Sequence, residues 1–283
     1  MRTVYSENKP HFGRDILATV AESAKKSYCG PRECLVVILF GLLIAVTHRP
    51  DALLRAQFFA EDGGIWFAQA YNSGVASLLS PYAGYYQALP RFLALLALGI
   101  PMHLAPFFMN AVGLLVELLP VYLLASKRTS NWGPIWMRLS LAALYLGVPN
   151  SHEIFATVTN AQWHLSPAVC ILMFARPPVT RTARIFDIAI FVIFGLTGPF
   201  AVVLLPITFL FWLFRRYRWT LVPTTIFALT SFVQVRAFLL TGAQSRNIPP
   251  LGATFPMAIK LIGGRIILAT LIGRNTLAHS EQF

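Results

Sequence analysis

Leu35-Val36-Val37-Ile38-Leu39-Phe40-Gly41-Leu42-Leu43-Ile44-Ala45-Val46 is a run without a single polar side chain, and Phe58-Phe59-Ala60-Glu61-Asp62-Gly63 follows soon after it. The run is short beside the roughly 20 residues a perpendicular membrane helix needs. With its flanks it makes a segment at 34–49, read as an uncleaved first transmembrane helix because more apolar segments follow. They lie at 89–100, 104–125, 134–149, 163–176, 184–197, 200–214, 219–240 and 257–273. The chain is therefore expected to be all-α, a multi-pass transmembrane helix bundle of about 8 spans. Pro101, Pro106, Pro120, Pro149, Pro167, Gly198-Pro199 and Pro206 interrupt the segments. Broken helices at membrane depth are tolerated where they pack on protein or line a wet cavity, so the bundle reads as a scaffold for a site.

Composition agrees. Of 283 residues, 56% are hydrophobic and 12% charged, with mean hydropathy +0.62. A soluble protein carries roughly 25% charged residues. The net charge is +12. In a soluble domain that would suggest nucleic acid, but here the bases cluster at the ends of apolar runs, at Lys127-Arg128, from Arg176 to Arg184 and from Arg215 to Arg218. That is the positive-inside pattern of a membrane protein, and nucleic-acid binding is not expected. Cys29, Cys34 and Cys170 have no metal-ligand spacing. There is no Walker motif, GxSxG, HExxH or dinucleotide fingerprint, so no nucleotide cofactor is implied.

The charge pattern sets an expected topology. Residues 1–33 carry Arg2, Lys9, Arg14, Lys25, Lys26 and Arg32 and form a cytoplasmic N-terminal segment. Residues 50–88 are then an outer loop, and residues 150–163 lie on the same side. The segments from 89 to 273 form the transmembrane bundle, and 274–283 a polar tail. Keeping Lys127-Arg128 inside requires 89–100 to enter the membrane without fully crossing. Within the outer loop, Phe67, Tyr71, Val75 and Leu78 recur at helical spacing, which predicts an interfacial amphipathic helix on the outer face.

Past residue 33 the acidic side chains are Asp51, Glu61, Asp62, Glu117, Glu153, Asp187 and Glu281, and the first three fall in that outer loop. Adjacent acids repel and apolar surroundings raise their pKa, so the pair Glu61-Asp62 calls for a cation, a metal or a catalytic task. A competing structural explanation is that the pair sits at the positive end of a following helix. A second polar cluster, Pro149-Asn150-Ser151-His152-Glu153 and then Asn160-Ala161-Gln162-Trp163-His164, shares that side. Side-chain hydrogen bonds and an aromatic face are how sugars are commonly held. Capping by Asn160 and interface anchoring by Trp163 are the alternatives. Arg91 could meet a phosphate, pair with Glu61 or Asp62, or snorkel to headgroups. Arg236, Lys260, Arg265 and Glu117 lie within apolar segments, where each needs a partner or a wet cavity.

The stretch from Ala60-Glu61-Asp62-Gly63 through Tyr82-Ala83-Gly84-Tyr85 to Pro90-Arg91, with Asn160-Ala161-Gln162-Trp163-His164, resembles bacterial members of the GT-C class of polyprenyl-phosphate-sugar-dependent membrane glycosyltransferases. The resemblance covers about residues 35–240. It implies a bacterial inner-membrane enzyme that transfers a sugar from a polyprenyl-phosphate donor to an outer-face lipid or polysaccharide acceptor. Asp62 or Glu61 would be the general base, with Asp62 favoured, and Glu61 would pair with Arg91 or hold the loop. Arg91 and His164 would contact the phosphate, and Asn160, Gln162 and Trp163 would bind substrate. No cofactor is implied, though a divalent metal could sit at the acidic pair. Members of the class are usually longer, so a shortened, non-catalytic subunit of a surface-polysaccharide system is one alternative. A transporter or flippase of a glycolipid is the other.

Overall fold

The computed structural model describes residues 29–148, 153–241 and 254–263, and among these every regular element is helical. The N-terminal segment before Cys29, the stretch 149–152, Arg265 and the polar tail lie outside the described residues. The first helix is α1, Pro31–His48, with proline at its opening turn, where the ring's fixed φ suits a helix start. A short α2, Asp51–Leu54, leads to a helical path whose pitch changes twice. It opens as a π-helical turn, Asp62–Phe67, becomes α3, Ala68–Ser73, and tightens to a 3-10 turn, Gly74–Leu79. The expected single amphipathic helix is thus broken. Gly74, at φ +54°, makes the bend. Tyr71 and Val75 of the expected apolar stripe point outward, while Phe67 is buried.

The remaining helices are α4 (Ala88–Ala97), α5 (Ala105–Glu117), α6 (Leu119–Ala125), α7 (Ile135–Leu146), α8 (Ala161–Phe174), α9 (Arg181–Leu196), α10 (Phe200–Arg215), α11 (Arg218–Thr241) and α12 (Phe255–Lys260). Among the described residues, three stretches are long and apolar enough to cross a membrane: α1, α5 with α6, and α11. Helices α4, α7, α8 and α10 are apolar but shorter.

Hydrogen bonds define two ends. At one, Cys29 N–H donates to Ala125 O, Arg176 N–H donates to Arg128 O at 2.8 Å, and Arg128 grips the buried Asp187 with both terminal nitrogens. Arg181, Arg184 and Arg215 to Arg218 belong to elements that begin or finish here, so this is the basic end. At the other, Gly198 N–H donates to Tyr86 O at 2.9 Å, Tyr86 N–H donates to Gln234 Oε1 at 2.8 Å, and Asn110 Nδ2 donates to Ala52 O at 2.8 Å. Helix α4 begins and finishes at this second end. Leu89 N–H donates to Thr197 Oγ1, and Ala97 packs with Phe67, Ala70 and Ala105.

Two apolar cores follow. The larger joins α1 and α5 through α11. The smaller, around Trp66, Phe67, Leu93, Met109 and Val158, sits wholly at the second end. Glycine permits the closest crossings. A Cβ on Gly195 would meet Thr230 Oγ1 at 2.4 Å, and one on Gly113 would meet the Thr157 backbone at 2.7 Å. Small residues let helices approach in this way. The Gly113 contact seats residues 153–160 directly on α5.

The charges within apolar segments find different surroundings. Glu117 is buried and takes a bond from Ala156 N–H, while Arg236 and Lys260 are exposed.

Candidate functional site

Asp62 opens the π-helical turn and is fully buried. Thr159 Oγ1 donates to its Oδ1 at 2.6 Å and Thr157 Oγ1 reaches its Oδ2 at 3.4 Å. Thr159 in turn accepts from Trp66 Nε1 at 2.8 Å. The result is a directional chain, indole N–H to threonine O–H to carboxyl. Burial pushes the Asp62 pKa up to about 6, and the threonine hydrogen bonds pull against that rise. Asp62 therefore ties the acidic loop to residues 157–159 and turns away from open space.

Glu61 does the opposite. It faces a cavity of about 630 Å³ whose wall also carries Trp66, Tyr82, Tyr85, Gln87, Glu153, Thr159, Asn160 and Gln162. The two tyrosines come from a tight hairpin. Tyr82 N–H donates to Tyr85 O and Tyr85 N–H to Tyr82 O, with Ala83 and Gly84 at φ +55° and +90° between them. Two successive positive φ values make the turn whose twist suits a hairpin. Tyr82 meets Trp66 edge-on at 5.1 Å. Gln87 Nε2 donates to Gln162 Oε1 at 3.0 Å, and Gln87 Oε1, also buried, has no partner among the described residues. Asn160 Nδ2 donates to Glu153 O at 2.8 Å, pinning the second polar cluster to itself. Ala60, Ala83 and Ala156 all adopt positive φ. Such backbone is rare for a residue with a Cβ and tends to collect at functional sites. All three border the cavity or the residues that hold Asp62.

The chain matches no family model, no curated protein and no solved structure.

Of the residues singled out from sequence, Glu61, Asn160 and Gln162 share the cavity wall, with Asp62 directly behind it. Arg91 lies on the far side of Trp66, its guanidinium 4.9 Å from the ring centroid. It is fully buried and donates to Gln69 Oε1 and Ser77 O, so it pairs with neither acid of the Glu61-Asp62 couple. His164 is buried with both ring nitrogens engaged, Nδ1 with Tyr145 OH at 2.6 Å and Nε2 with Ile154 O at 2.8 Å. Trp163 is half-exposed and packs edge-on against Phe200. Neither His164 nor Trp163 lines the cavity.

Gln87, Thr157 and Thr159 were missed from sequence, as was the role of the tyrosine hairpin. Thr157 and Thr159 alternate with Val158 between the two halves of the second polar cluster, and that alternation was the available signal. Gln87 had none. Among the described residues no Lys, Arg or His lines the cavity, and no three His, Cys, Asp or Glu gather as a metal site. The wall offers carboxylates, amide donors and acceptors, and aromatic faces. That combination suits a polyhydroxylated ligand held by hydrogen bonds and ring stacking.

Proposed function

We propose that this is a multi-pass bacterial inner-membrane glycosyltransferase that takes a sugar from a polyprenyl-phosphate donor and passes it to an outer-face lipid or polysaccharide acceptor. The observation that carries the reading is Glu61 on the wall of the 630 Å³ cavity, opposite an array of amides and aromatic rings. In this reading the helices that alternate between the two ends are the spans, and the cavity end faces outward.

Glu61 rather than Asp62 is the carboxylate with access to substrate. It takes the proton of the acceptor hydroxyl as that oxygen forms a bond to the anomeric carbon. The bond from that carbon to the phosphate oxygen breaks, and the phosphate leaves with the electron pair. Asp62 is a positioning residue, holding Thr159 and through it Trp66. Gln87 Oε1 is free to accept from a sugar hydroxyl.

A groove of about 510 Å³ lined by Leu78, Leu89, Phe92, Ile193 and Leu196 adjoins the cavity, because Tyr86 and Ala88, which line it, flank Gln87. It suits a lipid-linked ligand. With no basic side chain on the described cavity wall, it also favours a second reading, movement of a glycolipid across the membrane. Transfer from a radiolabelled polyprenyl-phosphate sugar, in membranes containing the protein, separates the two. We expect transfer by the parent chain and a loss of about 10²–10⁴ in rate for Glu61→Gln, the range for removal of a general base. Unchanged transfer by that variant overturns the mechanism. Absence of transfer by the parent, with labelled glycolipid still crossing reconstituted vesicles, replaces the enzyme reading with translocation.

A further inference from the structure

At the basic end, well away from the acidic cavity, α8, α9, α10 and the start of α11 enclose a second pocket of about 270 Å³. That lies just under the roughly 300–1,000 Å³ of small-ligand sites, room for a length of chain rather than a whole amphiphile. Its walls are Leu172, Met173, Phe191, Phe211 and Pro223. The hydroxyls in the wall are already engaged. Thr208 Oγ1 donates to Leu205 O at 2.9 Å, and Thr220 Oγ1 to Tyr217 O at 2.6 Å. The interior therefore suits hydrocarbon.

The rim has the contrary character. Arg215 lines it, exposed, with its guanidinium 4.8 Å over the Phe211 ring. Arg216 and Arg218, also exposed, follow it in sequence. Among the described residues no Asp or Glu lines the pocket, and Asp187 at this end is buried against Arg128. Tyr217 and Trp219 complete the mouth, and such rings favour the headgroup level of a bilayer. Arg216 turns the chain between α10 and α11 in the left-handed region, at φ +48°.

We propose that this pocket binds one anionic phospholipid, with a stretch of acyl chain between α8 and α11 and the phosphate on Arg215. The inference rests on the membrane reading of the helices and is independent of sugar transfer.

The test is thermal unfolding of the purified full chain in detergent. The additions are phosphatidylglycerol, phosphatidylcholine with the same acyl chains, or glycerol 3-phosphate as the headgroup alone. Phosphatidylglycerol should raise the midpoint by about 4 °C or more. The zwitterionic lipid should give less than half of that rise, and glycerol 3-phosphate none. Arg215→Gln, an exposed change that leaves the fold intact, should erase the preference for the anionic lipid. Thr208→Phe, which fills the pocket and loses only the bond to Leu205 O, should abolish the response to both lipids. If Thr208→Phe fails to fold, Arg215→Gln decides alone. Equal shifts with the two lipids, a full shift with glycerol 3-phosphate, or an undiminished anionic preference in Arg215→Gln would each overturn the site.

Discussion

Asp62 is a carboxyl group kept out of water and steadied by two threonines, and its raised pKa has a measurable consequence. Its proton stays on until about pH 6 in the folded protein, against an ordinary value of 3.8. For an acid raised in this way, the folded state binds the proton more tightly than the unfolded chain. The stability that this confers is whole below about pH 4, shrinks as pH rises, and is gone above about pH 6. Asp62→Asn keeps the shape and an acceptor for Thr159 but cannot titrate. We expect the thermal midpoint of the parent, taken relative to Asp62→Asn, to fall between those two values and then level off. A difference that does not change with pH would show that burial does not hold the proton. The same variant should also lose less transfer than Glu61→Gln, by at least about ten-fold, because Asp62 positions the wall rather than touching substrate.

At the level of elements, a buried ion pair clamps the turn at Lys127–Trp132 to α9 at the basic end. Arg128 donates to both oxygens of Asp187, and its Nε donates to Arg176 O at 2.8 Å. Asp187→Ala leaves a largely buried guanidinium without its anion, a change that typically costs about 3–5 kcal/mol. Replacing both partners, as in Arg128→Met with Asp187→Leu, should recover most of that loss, since well-packed apolar pairs often match buried ion pairs. Unfolding midpoints of the single and double variants check this. A cost for Asp187→Ala within the roughly 0.5 kcal/mol of a surface change would deny the clamp its role. Sequence legibility is uneven at this scale. The apolar runs and their proline and glycine breaks were plain, because hydropathy is a local property. The change of pitch along 62–79 was not, since an unbroken 3.6-residue stripe looks the same whether or not Gly74 bends it. The charge count did call for 89–100 to enter without crossing, but the packing of Trp66 and Phe67 against α4 at the cavity end was not legible. Likewise Glu61 and Asp62 stood out as an acidic pair, but which of them faces the cavity is decided by Thr157 and Thr159, far away in the chain.

For the whole molecule, the separation of basic and acidic ends is the property that any membrane reading must satisfy. Residues 50–88 and 153–160 share one end, and the turns at 126–134 and 175–180 share the other. Single cysteines placed at Asn72, Glu153 and Val179 in a background without Cys29, Cys34 and Cys170 report on this directly. We expect a membrane-impermeant thiol reagent to label the first two from one side of sealed vesicles and Val179 from the opposite side. Labelling of positions 72 and 153 from different sides would dismantle the shared cavity.

The bond from Thr159 to Asp62 spans 97 residues of chain. A ribosome adding about 5–20 residues per second needs roughly 5–20 s to cover that distance. During that interval the acidic loop has already been made, while the hydroxyls that hold it have not. The nascent chain must therefore carry its acid pair solvated or shielded until Thr157 and Thr159 emerge. The wall of the cavity is a late event in biogenesis, set by the arrival of α8 rather than by the insertion of α1.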